Sequence, residues 1–166
     1  MEIWKLHVAS KGQVGIEETS GLPYSLINLF AGLGSPEAEE GLLGWAGELG
    51  EEFIQIHLWE AFRFAGVLHN RALLGNDHNT SPPAASPMPR SEVVRMKIFA
   101  SLQAIVDSGA FTFRQPLARA IFYPLFIAGL FAENYQQRRL TRLAFQHLME
   151  DSQERIDGST ERVALD

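Results

Sequence analysis

The side chains of this chain that carry reactive chemistry fall into a few local groupings. His57-Leu-Trp-Glu60 and His147-Leu-Met-Glu150 each set an imidazole and a carboxylate three residues apart, a spacing that puts both on one face of a helix. Di-metal helical bundles use such pairs, but in the order Glu-x-x-His, twice, with a further carboxylate from each of two other helices. Here the order is reversed and no matching carboxylates stand out, so a partly exposed polar face is the favoured reading. A Ser-His-Asp relay can be drawn on paper from several serines, His69 or His78, and Asp77. No glycine-x-serine-x-glycine elbow frames any serine, so the geometry that activates such a nucleophile has no support. Gly32-Leu-Gly34 follows a helical pattern rather than a strand and lacks the third glycine of a dinucleotide turn. No catalytic, cofactor-binding or metal-binding residue is therefore assigned, and the chain is expected not to be an enzyme.

Arg138, Arg139 and Arg142 gather positive charge on one turn of an otherwise acidic chain. They read either as a solvated face paired with Glu133 or Glu150, or as a surface for a partner or a phosphate. Three arginines alone do not support base-specific readout of DNA. Trp45 and Trp59 stand among leucines and phenylalanines, where core packing is favoured over ligand stacking.

Composition sets outer bounds. The 14 basic against 20 acidic residues give a formal charge of -6, which disfavours loose binding to a phosphate backbone. With no cysteine there is no disulfide, thiolate zinc site or cysteine nucleophile in these residues. Met1 to Val8 lacks the basic flank and the run of about 7 to 15 apolar residues of a secretory signal. The longest apolar run, Ala120 to Ala132, contains Pro124 and falls short of the roughly 20 residues needed to cross a bilayer.

The elements that must position these groups are helical. A short helix is predicted near Ile3 to Val8. Pro23 suits the first turn of a helix carrying Leu26, Ile27, Phe30 and Leu33 on one face, closed by Gly32 and Gly34. Ser35-Pro36-Glu37 combines a capping serine, a proline at the first helical position and an acid suited to the helix dipole. That helix is expected to break near Gly47 to Gly50. Glu51 to Leu74 is the longest uninterrupted pattern, with Glu51, Glu52, Gln55, Arg63, His69 and Asn70 on a narrow polar stripe. Phe53, Ile54, Ile56, Leu58, Phe64, Val67 and Leu68 fill most of the remaining circumference, the mark of a central helix.

Residues 75–90 collect Pro, Ser and Asn with almost no large apolar side chain and read as an internal flexible loop. Ser91 opens a helix with Val94, Ile98, Leu102 and Ile105 in phase, ending by Gly109. Pro116 starts the next, kinked by the internal Pro124. Asn134 to Met149 forms the last, with Leu140, Leu143, Ala144 and Leu148 on one side and the three arginines on the other. After Ser152 the pattern fades toward a frayed extra turn. The expected fold is all-α, an irregular array of about six helices in a single domain spanning residues 1–166.

The segment Phe122-Tyr-Pro-Leu-Phe-Ile-Ala-Gly129 resembles the tryptophan-proline-leucine-phenylalanine-isoleucine-alanine-glycine helix of the fungal-specific transcription factor domain. That domain is the regulatory region of fungal six-cysteine zinc-cluster activators. Gly21-Leu-Pro-Tyr-Ser-Leu-Ile-Asn-Leu29, Leu43-Gly-Trp45 and His57-Leu-Trp-Glu-Ala-Phe-Arg-Phe-Ala65 are similar, in the same order, to its glycine-leucine-proline segment, its leucine-x-tryptophan step and its long central helix. The resemblance covers about residues 20 to 150. It departs at Tyr123, where tryptophan is usual, and in lacking the six-cysteine cluster, its basic linker and the further helices after the arginine-bearing one.

The resemblance implies a nuclear regulatory region controlling RNA polymerase II transcription through protein partners, the transcription machinery or an effector. DNA would be reached only through the missing zinc cluster, and zinc would belong to that cluster alone. The chain then reads as a central fragment, a spliced product or a degenerate relative. Charge clustering makes Arg138, Arg139 and Arg142 the candidate partner surface, and backbone groups freed by Pro124 make a groove at its kink the alternative. A piece of a larger helical array leaves apolar faces uncovered, so self-association or a requirement for the missing segments is expected. The alternative is a small helical ligand-binding protein or enzyme.

Overall fold

The structure, a computed structural model, describes residues 14–48, 52–75, 88–108 and 115–163, with the side chains of 115–119 and 150–163 left aside. The short helix expected near Ile3 to Val8, most of the 75–90 loop and the bend after Gly109 lie outside the described residues. Among the described residues the chain is all-α, with six helices and no strand. They are α1 (Tyr24–Phe30), α2 (Pro36–Gly44), α3 (Phe53–Leu73), α4 (Ser91–Asp107), α5 (Gln115–Leu130) and α6 (Tyr135–Val163).

α3 is the hub, packing against α2, α4 and α5, while α6 lies mainly along α5. Its central place follows from its sequence: Leu58, Trp59, Phe62, Phe64, Val67 and Leu68 are all buried, so apolar side chains face neighbours on more than one side. Gly66 permits a close approach. A Cβ there would fall 2.8 Å from Phe30 Cζ and 3.0 Å from Leu42 Cδ1, so its bare backbone is what lets α1 and α2 seat against α3.

Most polar groups that enter this interior are bonded, because an unpaired buried donor or acceptor costs about 1–3 kcal/mol; among the described residues Arg63 Nε and Arg95 Nε are buried donors that meet no acceptor. Trp59 Nε1 donates to Gly21 O at 2.9 Å, fixing the turn before α1 onto α3. Glu17 holds that turn by accepting from the Ser20 and Thr19 amides at 2.7 and 3.0 Å. α2 starts as expected, the Ser35 hydroxyl accepting from Ala38 N with Pro36 in the first turn.

Several expectations for α3 are corrected. Asn70, placed by periodicity on the polar stripe, is fully buried. Its Oδ1 accepts from Gly34 N at 2.7 Å and its Nδ2 donates to Ser35 O at 2.9 Å, so it ties the α1–α2 turn to the hub. Phe53 and Ile56, assigned to the apolar circumference, are exposed, while Ile54 between them packs against the core. Arg71 is buried and bonded to Glu39 Oε1, Ser91 Oγ and Pro89 O. Ser91 thus serves as an acceptor in the first turn of α4, whose N-cap is Arg90 with no side-chain bond.

α5 remains helical through the buried Pro124. α6 continues to Val163, well past the expected fading at Ser152. Apolar periodicity marks which face is buried, not whether the backbone is helical, so its loss beyond Met149 did not end the helix.

Candidate partner-contact surface

The α5–α6 hairpin carries the three arginines. α6 is preceded by Asn134, whose Oδ1 accepts from Gln137 N at 2.9 Å, while Gln137 Oε1 accepts from Glu133 N at 2.9 Å. This reciprocal pair satisfies two donors at the helix start, in the manner of a capping box. The Asn-x-x-Gln spacing is legible in sequence, although the helix was placed there from its apolar positions alone.

The buried seam of α6 is Thr141, Ala144 and Leu148. Leu143, expected with Leu140, Ala144 and Leu148, is 39% exposed. The cause lies on α5: a Cβ at Gly129 would stand 3.2 Å from Thr141 Cγ2, so the glycine admits the threonine methyl and turns the seam away from Leu143. The Thr141 hydroxyl is satisfied within the helix by Gln137 O at 3.0 Å.

This rotation leaves Arg138, Arg139 and Arg142 exposed. The expected pairing with Glu133 is overturned, since Glu133 Oε2 is instead 2.5 Å from Arg95 Nη2 of α4. The side chain of Glu150 lies outside the described residues. Among the described residues the trio makes one contact, Arg138 Nε donating weakly to Ala132 O at 3.4 Å. Arg142 borders a shallow depression of about 430 Å³ with Phe145, Gln146 and Met149. Beside it Phe122 stands 6.0 Å from the Phe145 ring, and Phe126 and Leu130 continue the exposed apolar stripe of α5.

The other groupings are dispersed. His57 packs edge-on against Phe53 at 4.5 Å, and Glu60 pairs with Arg63 at 2.7 Å. His147 is exposed on α6. No group of three histidines or carboxylates fit to hold a metal occurs among the described residues. His78 and Asp77 lie outside them. His69 instead meets Tyr123, Nδ1 to hydroxyl at 3.1 Å, and burial lowers the pKa of the imidazole and raises that of the phenol. Both neutral forms suit a hydrogen bond at the edge of an aromatic cluster in which Tyr123 also contacts Phe30 and Phe62. Trp45 and Trp59 meet edge to face at 6.2 Å, a packing role for both.

No helix among the described residues is long and apolar enough to cross a membrane. Comparison of the chain with protein-family models, curated proteins and solved structures found no match in any of the three.

Proposed function

We propose that this chain is the helical regulatory region of a fungal-type zinc-cluster transcription factor, a non-catalytic platform acting in the nucleus on RNA polymerase II transcription through partner or effector contacts. It needs no cofactor of its own, and DNA is reached through the zinc cluster of complete relatives. Arg138, Arg139 and Arg142 form its partner surface.

One observation carries this. The four separated segments that resemble the family converge on one core: Gly21 O on Trp59, Trp45 on Trp59, Phe30 on Phe62, and Phe62 on Tyr123 with ring centroids 4.8 Å apart. Motifs spread over a hundred residues and joined only by packing are what a scaffold requires, whereas catalytic motifs converge on an accessible polar pocket.

The test is to tether the chain to a heterologous DNA-binding domain in yeast and measure a reporter. Reporter output that departs from that of the DNA-binding domain alone, and returns to it when Trp59→Ala disrupts the core, supports the assignment. Equal output from a fusion expressed at equal level refutes it, and saturable small-molecule binding or turnover by the purified chain would favour the ligand-binding alternative.

A further inference from the structure

Building on the partner surface just described, we propose that the groove along α5 and α6 receives an acidic amphipathic helix from a partner protein. Its apolar stripe seats on Phe126, Phe145 and Met149, and its carboxylates meet Arg138 and Arg142.

The apolar half is laid out in register. Phe122, Phe126 and Leu130 step by four along α5, each turning the same edge outward, with exposures of 37, 58 and 62%. On α6, Arg138, Arg142, Phe145 and Met149 follow i, i+4, i+7 and i+11 and form a second stripe beside the first, the two joined by the Phe122–Phe145 ring contact. Among the described residues nothing covers the depression between Arg142 and Met149. An apolar ridge on α5 beside a stripe on α6 that passes from arginine to Phe145 and Met149 suits a docked amphipathic helix, which reads such a groove through anchors at i, i+3, i+4 and i+7.

Charge selects the occupant. Arg138 and Arg142 lie four apart on one helix face, where like charges destabilise each other. No carboxylate among the described residues meets either one, and the acid nearest in sequence, Glu133, is drawn away by Arg95. A partner bearing glutamates or aspartates along the flank of an apolar stripe relieves that repulsion and covers the phenylalanines in one step. A second copy of this chain fits poorly, since an isologous contact pairs this face with itself and, among the described residues, no carboxylate lines the depression to meet the arginines. A nucleic acid would satisfy the arginines but strand the apolar stripe against phosphates, on a chain whose net charge is -6.

The experiment uses the full chain and a fluorescein-labelled helical peptide of about 18 residues, leucines at i, i+3, i+4 and i+7 and glutamates elsewhere. Controls are the isomer with lysine for every glutamate, a scramble of the same composition, and a DNA duplex. Saturable polarisation with the acidic peptide alone is expected, weakened roughly ten-fold by joint Arg138→Ala, Arg139→Ala and Arg142→Ala and by Phe126→Ser. Both variants alter exposed positions, and a cooperative thermal melt no lower than that of the parent chain certifies that each is folded. Equal binding of the lysine isomer or the scramble overturns the proposal, as does tighter binding of DNA or affinity unaffected by either variant. Sedimentation that finds a dimer dissociated by Phe126→Ser would assign the face to a second copy instead. Since only purified components are used, failure here leaves the reporter test of transcriptional function unaffected.

Discussion

The α3 hub and the outer face of the α5–α6 hairpin treat their arginines in opposite ways. Around α3, Arg71 is enclosed and bonded to Glu39, Ser91 and Pro89, and Arg63 donates to Trp45 O at 2.6 Å while pairing with Glu60. On α6 three arginines stand in solvent beside exposed phenylalanines and Met149. One region uses charge to complete an interior whose unpaired groups would be costly. The other leaves charge and apolar surface side by side, the arrangement on which the proposed partner contact rests.

The contrast breaks first if substitutions in the two regions cost the same. Trp59 is 1% exposed and holds Gly21 O, so Trp59→Ala should lose about 3–5 kcal/mol. Phe126→Ala, at 58% exposure, should stay within about 0.5 kcal/mol. Urea midpoints at constant m-value measure both. Comparable losses would mean that the hairpin face is buried by something in the native protein.

The buried ion pair offers a sharper version. Arg71 and Glu39 side chains are only 10 and 11% exposed, so Glu39→Leu alone strands a guanidinium and should cost about 3 kcal/mol. Replacing both, as Glu39→Leu with Arg71→Met, should recover most of that loss, since a well-packed apolar pair often matches a buried salt bridge. The double-mutant cycle decides it: additive losses would show that Arg71 acts mainly through Ser91 and Pro89.

How far the sequence disclosed this division follows from what periodicity measures. Pro23, Ser35-Pro36 and the apolar phases of α3 and α4 placed those helices correctly, because capping chemistry and a buried face are local properties. Asn70 and Glu39 escaped, since whether a polar side chain is buried depends on a neighbour dozens of residues away. Leu143 and the Glu133 pairing failed for the same reason, decided by Gly129 and Arg95 on other helices. On the candidate surface the arginine cluster was legible, while the phenylalanine stripe beside it was not. Phe122 and Phe126 belong to a helix apolar on nearly every side, and only the packing shows which edge is left over.

Gly66→Ala ranks next. Alanine is worth up to about 1 kcal/mol in helix propensity, but its methyl would meet Phe30, a ring locked between Phe62 and Tyr123. Overpacking of about 1–3 kcal/mol should prevail, seen as a lowered Tm. A raised Tm would show that α1 is loosely held and that the hub is less close-packed than its contacts indicate.

Titration separates the regions more gently. Burial depresses the pKa of His69 below its ordinary 6.5, so its contribution is complete above that value and is lost as pH falls through it. Glu17 is slightly buried, which pushes its pKa up, but hydrogen bonds from Ser20 and Thr19 outweigh this and bring it from 4.5 to about 2. Its contribution is present above 4.5 and lost below, toward 2. Stability should therefore fall in two stages on acidification, the first abolished by His69→Gln and the second by Glu17→Gln. Exposure makes the second small. A single acid transition unaffected by either variant would remove these groups from the account.

The smallest effect bears most directly on what α6 is for. Arg142→Gln removes a like charge four residues from Arg138 and should raise stability slightly, by about 0.2–0.5 kcal/mol, a gain that added salt erases. A cluster whose like charges oppose each other beside exposed phenylalanines fits the proposed partner surface. Should Arg142→Gln instead lower the Tm, the arginine must meet a carboxylate of the native chain, and the two regions would then differ only in how deeply their ion pairs are buried.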